Sequence, residues 1–155
     1  MYIIFYGTGK SLTAAVSAYL YLKNNSISLQ TLTLPMDEII TLINCDKRAL
    51  GGLVYMDKDQ YNNKIYILNT GPHETIMLPA LSSVFDILEV DRDQLYLVDT
   101  TKLDNLLSSM ALTLIHYNPL QAFSLWLFMK KLKKRTGDLV RLLRKTDAIA
   151  KNKLS

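Results

Sequence analysis

The stretch YIIFYGTGKSLTAAVSAYLYL, residues 2–22, decides the fold class. Tyr2 to Tyr6 is a continuous apolar and aromatic run closed by Gly7, which suits a strand buried on both faces. From Leu12 onward the apolar positions Leu12, Ala15, Val16, Tyr19 and Leu20 recur at helical spacing. A strand, a glycine-turned corner and a helix therefore follow one another within the first 22 residues, the opening unit of an α/β fold.

The same alternation continues downstream. Asn24 to Leu34 is a polar connection with room for a short strand at Ile27 to Leu32. Pro35 opens a helix from Met36 to about Ile43, because the missing proline N–H is not needed in a first turn. Gly51-Gly52 then breaks the chain before LVYM (53–56) and KIYILN (64–69), two β-rich runs joined by DKDQYNN (57–63). Asn62-Asn63 suits the positive φ of a hairpin turn. Thr70-Gly71-Pro72 leads to a helix from His73 to about Leu88, with Met77, Leu81, Val84 and Leu88 on one side and Pro79 as a point of kink or restart. Gln94 to Thr100 (QLYLVDT) is a strand ending in Asp99. A helix from about Leu103 to Tyr117, a turn at Asn118-Pro119 and a basic helical segment at about 119–155, broken near Gly137, complete the order. Such alternation predicts a Rossmann-like three-layer α/β domain over residues 1–155: a mostly parallel central sheet with one antiparallel hairpin, and helices on both faces.

Composition supports a packed domain, with 49% apolar and 21% charged residues. Cys45 is the only cysteine. One chain therefore builds neither a disulfide nor a cysteine-based zinc site, and a reducing, cytoplasmic setting is the simplest expectation. Met1 to Tyr6 carries no basic leader and no long apolar run, so no secretory signal is expected. Leu106 to Met129 holds no formally charged residue and precedes Lys130, Lys131, Lys133, Lys134 and Arg135. Ser108, Ser109, Thr113, His116, Asn118, Gln121 and Ser124 interrupt that run, and their burial in lipid is costly. Two helices joined by a turn are expected there instead of a membrane span.

Charge is unevenly distributed. The net +4 combines a tail, Lys130 to Ser155, with ten Lys or Arg against Asp138 and Asp147, and a body in which acids outnumber bases by four.

In open α/β sheets the ligand crevice lies beyond the carboxyl ends of the parallel strands. Gly7 to Ser11, Asn69 to His73 and Asp99 to Thr101 meet that description. The first is the leading candidate for a phosphate or carboxylate site. Gly7 and Gly9 allow close backbone approach, a helix N-terminus supplies N–H donors, and Thr8, Lys10 and Ser11 add side-chain donors. It is no Walker A loop, since GxxxxGK[ST] ending at Gly9-Lys10-Ser11 requires glycine where Ile4 stands, and GxGxxG fails at Leu12. The alternative is an ordinary corner with Thr8 or Ser11 as N-cap. Asp99 and Thr100 face the same crevice, where Asp99 either meets a ligand hydroxyl or a phosphate-bound metal, or caps the next helix. His73-Glu74 is an acid or base pair in principle, although Glu74 also complements a helix dipole; His116 reads as structural. Asp57 and Asp59 resemble a calcium loop but lack its sixth-place glycine (Asn62) and twelfth-place glutamate (Leu68), so no metal site is predicted. No HExxH, GxSxG or paired-cysteine signature is present. Whether the chain is an enzyme, and with what cofactor, stays open.

The residues GTGKSLTAA, GLVYMDKDQYNNKIYIL and LYLVDT resemble the DUF3189 family, uncharacterised proteins of Firmicutes. The likeness spans most of Met1 to Leu114 and thins in the basic tail. In that family the first loop commonly runs G-T-H-S-S. Gly7, Thr8 and Ser11 match it, while Gly9 replaces the histidine and Lys10 a serine. The resemblance implies the fold and points to the same loop, with no activity attached.

Two functions from different classes follow. One is binding of a small anionic ligand by Gly7, Thr8, Gly9, Lys10 and Ser11 with Asp99 and Thr100 opposite. The other is a non-enzymatic interaction through the tail, where FSLWLFMKKLKKR (123–135) sets Phe123, Trp126, Leu127 and Phe128 before a lysine-rich end. Such a helix suits a protein partner or an anionic membrane surface, or else it is a core helix with cations at its C-terminus. Nucleic acid ranks last, because the segment after Lys130 lacks interleaved aromatics.

Overall fold

The computed structural model describes residues 1–8, 12–23, 36–103 and 121–152. Four strands, β1 (Tyr2–Gly7), β2 (Leu53–Lys58), β3 (Lys64–Asn69) and β4 (Leu95–Asp99), are joined by α1 (Thr13–Leu22), α2 (Met36–Arg48) and α3 (Glu74–Ile87). Helices α4 (Gln121–Lys134) and α5 (Thr136–Asn152) follow. The sheet order is β2-β3-β1-β4. β1 runs parallel to β3, with Gly7 opposite Asn69, and parallel to β4, with Tyr6 opposite Asp99. β2 pairs antiparallel with β3 and is bulged between Tyr55 and Asp57. The mostly parallel sheet with one antiparallel hairpin is thus the architecture read from the sequence.

Side-chain alternation along each strand divides the molecule into two cores. Ile3, Phe5, Ile65, Ile67 and Val98 point to one face, where α1, α2, α4 and α5 supply Val16, Ile39, Leu42, Phe128, Leu139 and Leu143. Ile4, Tyr6 and Leu68 point to the other, where α3 supplies Phe85. β1 is buried on both sides, as an apolar run without alternation requires. The flanking segments are consistent with that role. α1 is short and rich in alanine, which lets it lie close on the sheet, and Ala14, Ala15 and Ala18 are all buried.

Several local expectations are refined. α2 runs on to Arg48, beyond Ile43, as its amphipathic pattern continues through Leu42 and Cys45. In the hairpin only Asn62 takes positive φ, at 61°. The loop is held by Asp59, whose carboxylate accepts from Tyr61 N (2.9 Å), Asn63 N (2.8 Å), Asn63 Nδ2 (2.9 Å) and the Tyr21 hydroxyl (2.9 Å). The aspartate of the apparent calcium motif is thereby spent on the fold. α3 continues through Pro79. It turns Met77, Leu78, Leu81 and Phe85 to the sheet and leaves Val84 and Leu88 exposed. The grouping of Met77 and Leu81 with Val84 and Leu88 is therefore shifted, because a helix apolar on nearly every side does not announce which stripe packs. The break expected near Gly137 falls at Arg135, where Thr136 Oγ1 donates to Lys133 O (2.8 Å). A 3-10 turn occupies Thr101–Leu103. The strand expected at Ile27 to Leu32, the rest of the helix to Tyr117 and the Asn118-Pro119 turn lie outside the described residues. Among the described residues no helix is long and apolar enough to cross a membrane.

Candidate functional site

The carboxyl ends of β1, β3 and β4 are locked together by two buried threonines. Thr70, just past β3, donates its N–H (2.9 Å) and its hydroxyl (3.2 Å) to the Gly7 carbonyl. Thr100, just past β4, donates its N–H (3.0 Å) and its hydroxyl (2.7 Å) to the Tyr6 carbonyl. The Thr100 hydroxyl also lies 3.3 Å from that of Thr13, at the start of α1. Gly7 sits inside this clasp. A Cβ on it would stand 2.9 Å from Thr100 Oγ1 and 3.3 Å from Thr13 Oγ1, so the position requires glycine for close approach.

α1 begins unusually. Leu12 occupies the N-cap position in the left-handed conformation, φ 59°, with no side-chain cap of its own. That conformation costs a non-glycine residue about 1–2 kcal/mol, and Leu12 is compensated by deep burial in the larger core. The chain thus turns from β1 into α1 at the expense of backbone strain.

Asp99 serves as a cap. Its Oδ1 accepts from Thr101 N (2.8 Å) and from the Thr101 hydroxyl (2.6 Å), holding the 3-10 turn that follows β4. On the same end of the sheet the Tyr6 phenol is pushed up to about 12, first by burial, then by the charges of Asp99 and Glu74 and a hydrogen bond to Glu74. Tyr6, Glu74 and Asp99 are therefore neighbours. Nothing in the one-dimensional pattern marks Tyr6, which reads only as the last residue of an apolar run.

Beside Asp99 opens a cavity of about 440 Å³, lined by Lys102 and Leu103 on one side and by Arg135, Asp138, Arg141, Leu142 and Lys145 on the other. Asp138, Arg141, Leu142 and Lys145 share one face of α5 at i, i+3, i+4 and i+7. Its opposite face sends Leu139, Val140, Leu143, Thr146 and Ala150 into the protein. Arg135 is paired with Asp138 at 3.4 Å. Lys102, Arg141 and Lys145 make no ion pair among the described residues. The cavity therefore has a surplus of positive charge at the carboxyl end of the sheet.

Of the residues singled out from the sequence, Gly7, Asp99 and Thr100 come together at this end, and Thr8 follows Gly7 half-buried. Gly9, Lys10 and Ser11 lie outside the described residues. Arg141 and Lys145 belong to a basic segment whose total charge does not single them out, and the helical spacing of its cations was the available signal; Lys102, outside that segment in the turn after Asp99, carries no such signal. Among the described residues no three His, Cys, Asp or Glu side chains are grouped to hold a metal.

A central parallel pair flanked by a third parallel strand, with loops clasped at their carboxyl ends, defines an α/β domain with a crevice at that end. The chain belongs to the family described as "Protein of unknown function (DUF3189)", matched over residues 2–148. The match continues past Leu114, where the resemblance was expected to thin, and so includes the cavity-lining face of α5. No curated protein and no solved structure matches the chain.

Proposed function

We propose that this domain binds a small anionic ligand, phosphate-bearing or carboxylate, at the carboxyl end of its sheet. The observation that carries the reading is the surplus of cations in the cavity beside Asp99, where Lys102, Arg141 and Lys145 face one space. An anion there gains charge-assisted hydrogen bonds, about twice as strong as neutral ones. Gly7 and Thr8, at the neighbouring strand end, open the first loop of the site read from the sequence, whose Gly9, Lys10 and Ser11 lie outside the described residues. Asp99 orients the turn that carries Lys102, and Thr100 braces β4 against β1. The lone thiol of Cys45, buried and free, accords with a reducing, cytoplasmic setting.

Thermal melting against phosphate, nucleotides and phosphorylated metabolites tests the reading. A ligand at about 100 times its Kd adds about 2.7 kcal/mol, or roughly 5–10 °C for a chain of this size. Lys10→Ala and Arg141→Ala/Lys145→Ala should each shrink that rise. A broad panel that leaves the wild-type melting temperature unmoved refutes it.

One observation favours a second reading, interaction through α4. Phe123 and Trp126 are both more than half exposed, their rings stack at 5.9 Å, and Lys130 Nζ lies 4.7 Å from the Trp126 ring centre. An exposed aromatic pair ahead of Lys131, Lys133 and Lys134 suits a protein partner or an anionic membrane surface. Co-sedimentation with anionic vesicles, weakening as salt rises, is the expected result for the membrane case; a Trp126 emission spectrum unchanged by vesicles argues against it.

A further inference from the structure

We propose that the outward face of α3 is a self-association surface, on which a second copy of this chain packs α3 against α3 about a two-fold axis. The inference does not depend on the ligand reading.

α3 is the one helix among the described residues that packs on its side of the sheet, and it is apolar on both of its own sides. While Met77, Leu78, Leu81 and Phe85 meet the sheet, Ile76 is 68% exposed, Val84 49%, Ile87 79% and Leu88 64%. Ile76, Ala80, Val84, Ile87 and Leu88 recur at i, i+4, i+8, i+11 and i+12, so they form a single stripe. The stripe continues onto the edge strand. A shallow groove lined by Gly51, Gly52, Leu53, Met77, Ala80 and Val84 joins α3 to the start of β2, and Leu53, Tyr55 and Leu50 are exposed beside it.

Size, charge and shape point to a second copy as the occupant. Scaled by ordinary residue areas, these exposed apolar residues present roughly 800 Å² on one molecule, the amount each partner contributes to a standard stable interface and more than a monomer commonly leaves in one patch. Between Glu74 and Asp86 the helix carries no charged residue. A two-fold axis sets this face against an identical copy of itself, so a face of one charge sign would repel its partner and this uncharged one does not. The small side chain of Ala80, mid-stripe, lets two helices approach closely. An anionic membrane suits the surface poorly, because Asp86, Glu89, Asp91 and Asp93 flank its C-terminal end against Arg92 alone, which is engaged by Asp86 at 2.8 Å.

Sedimentation velocity on the full chain at rising concentration tests the proposal, with a species of twice the chain mass expected at tens of micromolar. The variant Ile76→Glu/Ile87→Glu, altered only at exposed positions, should sediment as a monomer with its far-UV circular dichroism retained. If that variant fails to fold, Ala80→Cys provides the second measurement. Mild oxidation should then give a reducible covalent dimer, since the new thiol lies near the axis and Cys45 is buried. A wild type that stays monomeric, a folded glutamate variant that remains dimeric, an Ala80→Cys chain that does not cross-link, or a monomer that instead binds vesicles through α3 overturns the proposal.

Discussion

Replacing Gly7 and Thr100 singly and together tests whether the threonine clasp sets the geometry of the crevice. Gly7→Ala places a methyl 2.9 Å from Thr100 Oγ1, closer than real Cβ contacts allow, and 3.3 Å from Thr13 Oγ1. Neither neighbour yields easily, because the Thr100 hydroxyl is buried and donates to the Tyr6 carbonyl. Overpacking of this kind costs about 1–3 kcal/mol. Thr100→Ala removes that hydrogen bond, worth about 0.5–1.5 kcal/mol because the Thr100 N–H still satisfies the carbonyl, together with one buried methyl, worth about 0.8 kcal/mol. In the double variant the nearest obstruction to the new methyl is gone and the 3.3 Å contact is the tightest left. The two costs should therefore not add. Urea unfolding of the four proteins should give a favourable coupling of about 1 kcal/mol, within the range for residues in direct contact, with the m-value unchanged. A coupling indistinguishable from zero, or a double variant less stable than the sum of the singles, refutes the steric account of why residue 7 is glycine.

Other predictions bear on neighbouring features. Tyr6 has its pKa raised in the folded state to about 12, so its contribution to stability is complete below its unfolded value near 10 and is lost as pH climbs from there to about 12. Compared with wild type, Tyr6→Phe should flatten the fall of urea stability across that interval; parallel slopes contradict it. Tyr21→Phe removes the hydroxyl that donates to Asp59 at 2.9 Å and should cost about 1.5–3 kcal/mol, as expected for a bond to a charged acceptor, measured by the same unfolding. Asp99→Ala frees the turn at Thr101 and should lower stability by about 0.5–2 kcal/mol, the usual cost of a lost cap. It should also alter any anion-dependent rise in melting temperature, since Lys102 rides on that turn; an unchanged rise separates Asp99 from the ligand site.

How much of this was legible in one dimension differs between fold and site. Strand, corner and helix at residues 2–22, the hairpin at 53–69 and the strand at 95–99 are local features, written in apolar runs, periodicity and turn residues. Each is a property of neighbours along the chain. The placement of candidate loops at strand ends followed from the same alternation, and Gly7, Asp99 and Thr100 were reached that way.

The rest depends on contacts between distant segments. That Thr70 and Thr100 clasp the end of β1 spans 63 and 94 residues of sequence, and no pattern around either threonine records its partner. The cations of α5 become cavity walls only because Leu139 and Leu143 settle in the core and turn Arg141 and Lys145 toward Lys102. α3 is the clearest case. Its sequence is apolar on nearly every side, so its composition guarantees burial of one stripe without naming it, and only packing against Ile4, Tyr6 and Leu68 decided which side chains meet the sheet and which face outward.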